Sequence, residues 1–341
     1  MILTTGHHSD DGRLTRHTEM LRLHGVTVEL VALEARSRWQ RFLAAPVFCL
    51  VQLWRYRPRC AVFPDPELFV LGPLASRILR IRPVIDIHED YTAVAATRAW
   101  IPSVLRPGIQ SLMALAEKVG RRLSAEVIVA APSLCRSSND RLVSNLPPPR
   151  YFTPRRDFDP RLVYVGDLSE ARGLKEMVRL AASQPDLTLE LIGPAPDDTA
   201  YAVRRWAEQA GLPRDRLVMT GRLPYRDAWR RASGALAGLS LLHPTPAYSE
   251  AIPTKIWEYM ASGLPVVASD LPAQADLVRR AGCGVVVSSV DDAAQVISRW
   301  RTRPDERWRF VDSGLRFYTT AQAADQSVAE LLAAVGEPTP I

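Results

Sequence analysis

The stretch Glu250-Ala-Ile-Pro-Thr-Lys-Ile-Trp-Glu258-Tyr-Met-Ala-Ser-Gly-Leu-Pro-Val-Val-Ala268 carries more of the fold than any other in this chain. Pro253 suits the first turn of a helix, where a missing N–H costs nothing. The helix expected from there runs to Ser262 and stops at Gly263, and Pro265 opens a strand. The free N–H groups around Pro253, Thr254, Lys255 and Ile256 make an anion site, strengthened by the helix dipole and by the charge of Lys255. Glu258 lies about one turn further on, placed to accept hydrogen bonds from a ribose diol. Glu250 sits just outside the helix start, where a sugar hanging from a diphosphate would be.

Outward from this segment, apolar runs alternate with amphipathic helical stretches along nearly the whole chain. In the first half Met1–Thr5, Val26–Leu33, Cys60–Phe63, Pro83–Ile87 and Ala125–Ala130 read as strands, the last of these closing the set. Helical spacing covers Leu14–His24, Arg38–Tyr56 and Val104–Leu123 between them. The pattern breaks from Asn145 to Pro160, where three consecutive prolines make a stiff spacer. It restarts with strands Arg161–Gly166, Leu187–Ile192, Leu217–Thr220, Gly234–Leu242, Pro265–Ala268 and Gly284–Val287, with helices between. Asp312 to Gly336 reads as a long terminal helical region. Strands separated by helices imply parallel βαβ units covered on both faces. The expectation is therefore an α/β chain of two Rossmann-like domains facing each other across a cleft. Residues 1–150 and 151–311 would form these two domains, while 312–341 would pack back toward the first. Neither half has a Gly-x-Gly-x-x-Gly after its first strand, which argues against a nicotinamide-dependent dehydrogenase.

The Glu-x7-Glu spacing followed by Tyr-Met-Ala-Ser-Gly-Leu-Pro-Val-Val-Ala resembles the donor-binding signature of family 4 retaining glycosyltransferases, which have the GT-B fold. From Val163 to about Ser289 the second half reads like that family's donor lobe. The resemblance implies transfer of a sugar from a nucleotide diphosphate sugar to an acceptor hydroxyl, with retention, without a metal and without any cofactor beyond the donor as co-substrate. By it Glu258 holds the ribose hydroxyls and Glu250 contacts the donor sugar. Tyr164-Val-Gly166-Asp-Leu-Ser-Glu-Ala-Arg172-Gly-Leu174 is similar to the family's strand-then-Gly-Arg-x5-Lys-Gly loop, whose cations clamp the diphosphate. It departs from that pattern, since Asp167 stands where an Arg is usual and Arg172 replaces the Lys. An Asp beside a diphosphate would be repulsive, so it is expected to point away or to receive an acceptor group. Arg172 still offers a bidentate phosphate contact, and Lys255 can supply the second cation. Gly221, Arg222 and Leu223, with Ile192-Gly193-Pro194, would line the slot for the base through backbone groups.

In the first half, Gly6-His-His-Ser-Asp-Asp-Gly-Arg13 follows the first strand directly. It is similar to the acceptor-side loop of family members that open with a strand and then His-His…Asp-x-Arg. Gly6, His8, Asp11 and Arg13 carry over as acceptor-side residues. Val84-Ile-Asp-Ile-His88-Glu89-Asp90-Tyr91 ends another strand, and its His-Glu-Asp-Tyr matches a loop of the same branch. His88 would help hold donor or acceptor hydroxyls, with Glu89 and Asp90 on the acceptor side. Three titratable groups would be costly to bury there for packing alone. Asp65-Pro-Glu67 ends the preceding strand and could face the same cleft. A metal site of His88 with Glu89 or Asp90 is disfavoured, because strand neighbours point to opposite faces. In the implied mechanism His88, Glu250 and Arg172 form the catalytic set.

Bulk properties bound the alternatives. At 341 residues, with 47% hydrophobic and 23% charged residues and a mean hydropathy of −0.06, the composition is that of a globular protein with room for two cores. Residues 1–150 hold 20 basic and 13 acidic residues against 23 and 24 in the remainder, so the net +6 lies wholly in the first half. A basic lobe suits an anionic acceptor or membrane, and nucleic acid ranks last because no nucleic-acid-binding motif accompanies it. Only Lys118, Lys175 and Lys255 are lysines; the other 40 basic residues are arginines. Cys49, Cys60, Cys135 and Cys283 show no Cys-x-x-Cys spacing, which fits a reducing cytoplasm. No signal peptide is expected, since the chain opens into an apolar strand. Phe42–Trp54 is too short to span a bilayer. Aromatic residues beside arginines across Arg36–Tyr56 nonetheless suit peripheral contact with an anionic membrane at its inner face. Two rivals remain at this level: a GT-B sugar-nucleotide epimerase, which consumes donor without acceptor, and a non-catalytic nucleotide-sugar binding protein.

Overall fold

The computed structural model describes residues 1–6, 11–34, 37–97, 101–245, 248 and 253–337. They form two compact units, one of residues 1–145 with 325–341 and the other of 146–324.

The first unit is built on six parallel strands: β1 (Ile2–Thr4), β2 (Leu30–Ala32), β3 (Cys60–Phe63), β4 (Arg82–Ile87), β5 (Glu126–Val129) and β6 (Arg141–Leu142). Their order is β2-β1-β3-β4-β5-β6. Successive residues of each strand bury on opposite faces, as a two-residue period requires. Leu3, Phe63 and Ile85 face a core with Ala45, Cys49 and Leu53 of the helix Arg38–Tyr56. Ile2, Val62 and Val84 face the other, with Leu14 and Leu21 of the helix Gly12–Leu23 and Leu331 and Leu332 of the helix Ser327–Val335. Two expectations need correction here. β6 follows the strand that was to be the last of this half; two residues are too short to give a pattern. The long terminal helix is broken at 325–326 into Pro304–Ala324, in the second unit, and Ser327–Val335, in the first. The second piece is tied down by Arg141 to Glu330 at 3.0 Å and by Arg82 Nε donating to the Ala334 carbonyl at 3.1 Å.

The second unit repeats the design with β7 (Asp159–Val165), β8 (Thr188–Ile192), β9 (Leu217–Gly221), β10 (Ala235–Ser240), β11 (Val266–Ser269) and β12 (Gly284–Val287). All pair in parallel, in the order β9-β8-β7-β10-β11-β12. The chain's own strand sequence thus reverses direction between β7 and β10, and in open parallel sheets ligands bind outside the strand ends at such a switch. The corresponding switch in the first sheet lies between β1 and β3.

The key helix covers Thr254–Ala261, with Pro253 as its N-cap, one position outside the expected first turn. It ends as read: Gly263 has φ +68°, its N–H donates to the Met260 carbonyl, and Leu264 N–H donates to that of Tyr259.

Candidate functional site

The second unit gathers most of its predicted residues at the switch between β7 and β10. Gly166 leaves β7 with φ +140°, and Gly193 leaves β8 with φ +153°. A Cβ at Gly193 would stand 2.0 Å from the Gly166 carbonyl oxygen, so the two strand ends pack backbone to backbone with no room for a side chain at Gly193. Lys255, in the first turn of Thr254–Ala261, is only 5% exposed. Its Nζ lies 5.0 Å from the centre of the Tyr164 ring and would be 3.4 Å from a Cβ on Gly166. Arg172 ends a short 3-10 turn, Glu170–Arg172, and its guanidinium lies over the Tyr248 ring at 5.1 Å. Burial pushes the Lys255 ammonium down to about 7 and the Arg172 charge adds to that, against the opposing pull of Glu258 and Asp167. Two cations that raise each other's cost, at a helix start and beside bare backbone, are complementary to a diphosphate.

Glu258 sits one turn behind Lys255 on the same helix. It is 7% exposed, and its Oε1 accepts a 2.6 Å hydrogen bond from the Tyr225 hydroxyl. Tyr225 is itself wedged edge-on against Tyr151 at 5.3 Å. Asp167 is exposed, with its backbone carbonyl accepting from the Tyr164 hydroxyl at 3.1 Å. Gly221 is exposed at the end of β9 and bridges to Gly193, followed by half-buried Leu223. Pro253 and Thr254 are half-buried at the helix start. Glu250 lies outside the described residues. Tyr225 and Tyr164 were missed as site residues. Tyr225 follows the Gly221–Leu223 turn and carries no motif signal, because its role depends on a partner 33 residues away.

In the first unit the ends of β1 and β3 are locked together. Asp65 is 2% exposed, and its Oδ2 accepts from Thr4 Oγ1 and from the Thr5 N–H, each at 2.7 Å. It packs so closely on Gly6 that a Cβ there would meet Oδ1 at 2.5 Å. Glu67 accepts from Thr5 Oγ1 at 3.1 Å and pairs with Arg41 at 3.1 Å. His8 lies outside the described residues. Asp11 is the N-cap of Gly12–Leu23, its side chain accepting from the N–H groups of Arg13 and Leu14. Arg13 is 7% exposed and forks onto Asp86, Nε to Oδ2 at 3.0 Å and the second amino group to Oδ1 at 2.6 Å. Its remaining nitrogen donates to Asn145 Oδ1 at 2.6 Å. His88 is half-buried at the end of β4, its Nδ1 3.1 Å from the Tyr91 hydroxyl, whose one hydrogen goes to the Pro64 carbonyl at 2.9 Å. Glu89 and Asp90 are exposed, and Asp90 Oδ1 accepts from the Ala93 N–H at the start of the next helix. Asp86 and His17 were not singled out from sequence. Asp86 lay inside the quoted strand segment, and its alternation with Ile85 and Ile87 turned it to the face that Arg13 fills. Among the described residues no three His, Cys, Asp or Glu side chains gather as a metal-ligand set.

Residues 152–316 match the family model described as glycosyl transferases group 1. No curated protein matches the chain. Among solved structures it is similar to the sucrose-phosphate synthase of Thermosynechococcus elongatus, at TM-score 0.73 and 16% identity over 97% of this chain and 96% of that one. Anabaena HepE in complex with UDP and glucose gives a TM-score of 0.68 at 15% identity, over 97% and 99% of the two chains. WaaG, a glycosyltransferase involved in lipopolysaccharide biosynthesis, gives 0.61 at 12% identity over 98% of each. With two parallel Rossmann-like units and a group 1 domain over residues 152–316, the chain is a glycosyltransferase of GT-B fold.

Proposed function

We propose that this enzyme is a retaining glycosyltransferase of family 4 type, moving a sugar from a nucleotide diphosphate sugar to an acceptor hydroxyl without a metal. The observation that carries the reading is the meeting of Lys255, Arg172 and the bare backbone of Gly166 and Gly193 at one strand switch, with Glu258 a turn behind. The two cations take the diphosphate and Glu258 the ribose diol. Gly221 and Leu223 line the base, and Pro253 and Thr254 shape the phosphate end. Because HepE is described with UDP and with UDP-glucose, a uridine diphosphate sugar is the first donor to test.

The acceptor oxygen attacks the anomeric carbon on the face from which the diphosphate departs. The carbon–oxygen bond to phosphate breaks, and the acceptor's proton passes to the departing phosphate oxygen. No protein base is needed. Arg172 and Lys255 stabilise the charge that builds on the leaving group, which is where electrostatic catalysis acts most strongly. His88 and Glu250 orient the reacting hydroxyls. Gly6, His8, Glu89 and Asp90 belong to the acceptor side, while Asp11 and Arg13 hold that side in shape through the helix cap and the Asp86 pair. A cytoplasmic setting, where the four free cysteines stay reduced, completes the reading.

Thermal unfolding with UDP, GDP, dTDP and ADP, each with EDTA present, tests the donor half. A nucleotide at 100 times its Kd should add about 2.7 kcal/mol of stability, and Glu258→Ala should need a higher concentration for the same shift. No shift with any nucleotide would reject the diphosphate site, and a shift that EDTA abolishes would reject the metal-free form. For the acceptor half, His88→Ala should lower kcat about tenfold or more while the nucleotide shift stays unchanged. Near-normal turnover in that variant would remove His88 from the reaction.

A further inference from the structure

The helix Arg38–Tyr56 is apolar on two opposite faces. One, with Ala45, Cys49 and Leu53, is buried against the first sheet. The other carries Trp39, Leu43, Val47, Leu50 and Trp54, spaced three or four residues apart so that they form one stripe. That stripe is bare: Trp39 is 74% exposed, Leu43 79% and Trp54 66%. The apolar surface continues sideways. Leu71–Ile78 packs beside this helix, and Arg106–Leu123 packs beside that one. Their outer positions add Ile78 at 75% and Leu112 at 58% exposed. Scattered exposed leucines are ordinary, whereas an apolar surface running over three neighbouring helices marks a partner.

The surrounding charge says which partner. From Ser37 to Pro64 there are five arginines and not one Asp or Glu. Each of the three helices leads into a parallel strand, so all three run the same way and their C-terminal ends lie along one margin of the layer. At that margin stand exposed Arg55, Arg57 and Arg59 from the first helix, Arg77 and Arg80 from the second and Arg122 from the third. A second protein surface would cover the apolar stripe without calling for this row of cations. An anionic bilayer uses both: the stripe enters the acyl boundary, tryptophans at its two ends sit at headgroup depth, and the arginines meet lipid phosphates.

We propose that the outer face of these three helices docks on an anionic lipid bilayer and lies in the plane of its surface. No helix among the described residues is long and apolar enough to cross a membrane. The docked helix also carries Arg41, which pairs with Glu67, the acceptor of the Thr5 hydroxyl. Thr5, just past the end of β1, is thus fixed to the lipid-facing body. On the proposed function, the acceptor is then presented by that surface; the docking itself does not depend on that reading.

Co-sedimentation of the full chain with vesicles tests the docking. It should pellet at low salt with phosphatidylcholine vesicles containing phosphatidylglycerol and stay in solution with phosphatidylcholine alone. Arg55→Gln, Arg57→Gln and Arg59→Gln together should weaken partition about a hundredfold, from roughly fivefold per cation. The pair Trp39→Ser and Trp54→Ser should weaken it at least about tenfold. All these side chains are exposed, so the unfolding midpoint and the nucleotide-induced shift should be unaltered, which separates failure here from failure of the enzyme reading. Absence of pelleting with the anionic vesicles, or undiminished pelleting of the tryptophan variant, would overturn the proposal. So would self-association of the parent that the tryptophan variant loses, which would assign the face to a second copy of the chain.

Discussion

Lys255→Met is expected to lower kcat/KM about a hundred- to a thousandfold while leaving the unliganded protein at least as stable as the parent. The two effects have one origin. Lys255 is 5% exposed, its ammonium rests against the Tyr164 ring, and the Arg172 charge lies close enough to oppose it. In the empty site that charge is a burden, and methionine fills the same space without it. A gain on the order of 1 kcal/mol is the usual trade between stability and activity at such a position. On the proposed function, the same ammonium becomes the partner of an arriving diphosphate. A variant that lost activity through misfolding would lose stability too, so the opposite movement of the two readouts identifies the role.

The same lysine sets a pH dependence. Burial, aided by Arg172, brings it down to about 7, so before nucleotide binds it gives up its charge far more readily than an ordinary lysine. A bound diphosphate favours the charged form and raises that value, so binding takes up protons. Nucleotide affinity should be full below about pH 7 and fall as pH rises through the free and then the bound value, by up to about tenfold per unit. Calorimetry in two buffers of different ionisation enthalpy reads the proton uptake directly. The slope should vanish in Lys255→Met. Affinity that stayed flat from pH 7 to 9 in the parent would show that Lys255 does not face the phosphates.

These expectations trace back to a segment whose physics was readable in the sequence. A proline, a glycine and a second proline at the right offsets framed the Thr254–Ala261 helix to within a residue or two. Strand and helix alternation was equally plain where burial is two-sided, as in Gly284–Val287, read at the observed bounds. It failed where local pattern is weak. β6 has two residues, and β2 covers only Leu30–Ala32 of an apolar run that begins at Val26. The break at 325–326 also left no mark, since Asp325 and Gln326 are ordinary helix-surface residues; the chain parts there because Ser144 binds Asp325 and Ser327 from the first unit. At the site, chemistry that lies close in sequence was legible: Gly166 with Arg172, and Lys255 with Glu258. Long-range partners were not. Tyr225 reaches Glu258 across 33 residues, and Arg13 reaches Asp86 across 73, so no spacing rule could join them.

The second of those pairs carries the largest stability effect. Asp86→Asn should cost the first unit about 3–5 kcal/mol, the cost of stranding a buried charge. Asp86 is fully buried, and Arg13 forks onto it. Burial alone would push the Asp86 carboxyl up, but Arg13 outweighs it and holds the group well below the usual carboxylate range. Asp276→Asn, which breaks the exposed pair with Arg280, should by contrast cost less than about 0.5 kcal/mol. Hydrogen exchange at the amides of β3, β4 and β5 reads the first unit by itself. Acid should act through the same cluster. His17 lies beside Asp86, its Nδ1 3.5 Å from Oδ2, and burial with the Arg13 charge brings it down to about 3. Between pH 6.5 and 3 the unfolded chain binds a proton at His17 that the folded chain refuses. Stability must therefore fall as pH falls through that window, by up to about 1.4 kcal/mol per unit. Below about pH 4 the unfolded Asp86 begins to take up a proton while the folded one does not, and the slope steepens. His17→Gln should remove the first part of that slope and leave the second. Protection in β4 that held level from pH 6.5 to 4.5 in the parent would mean that His17 takes its proton without opening the cluster.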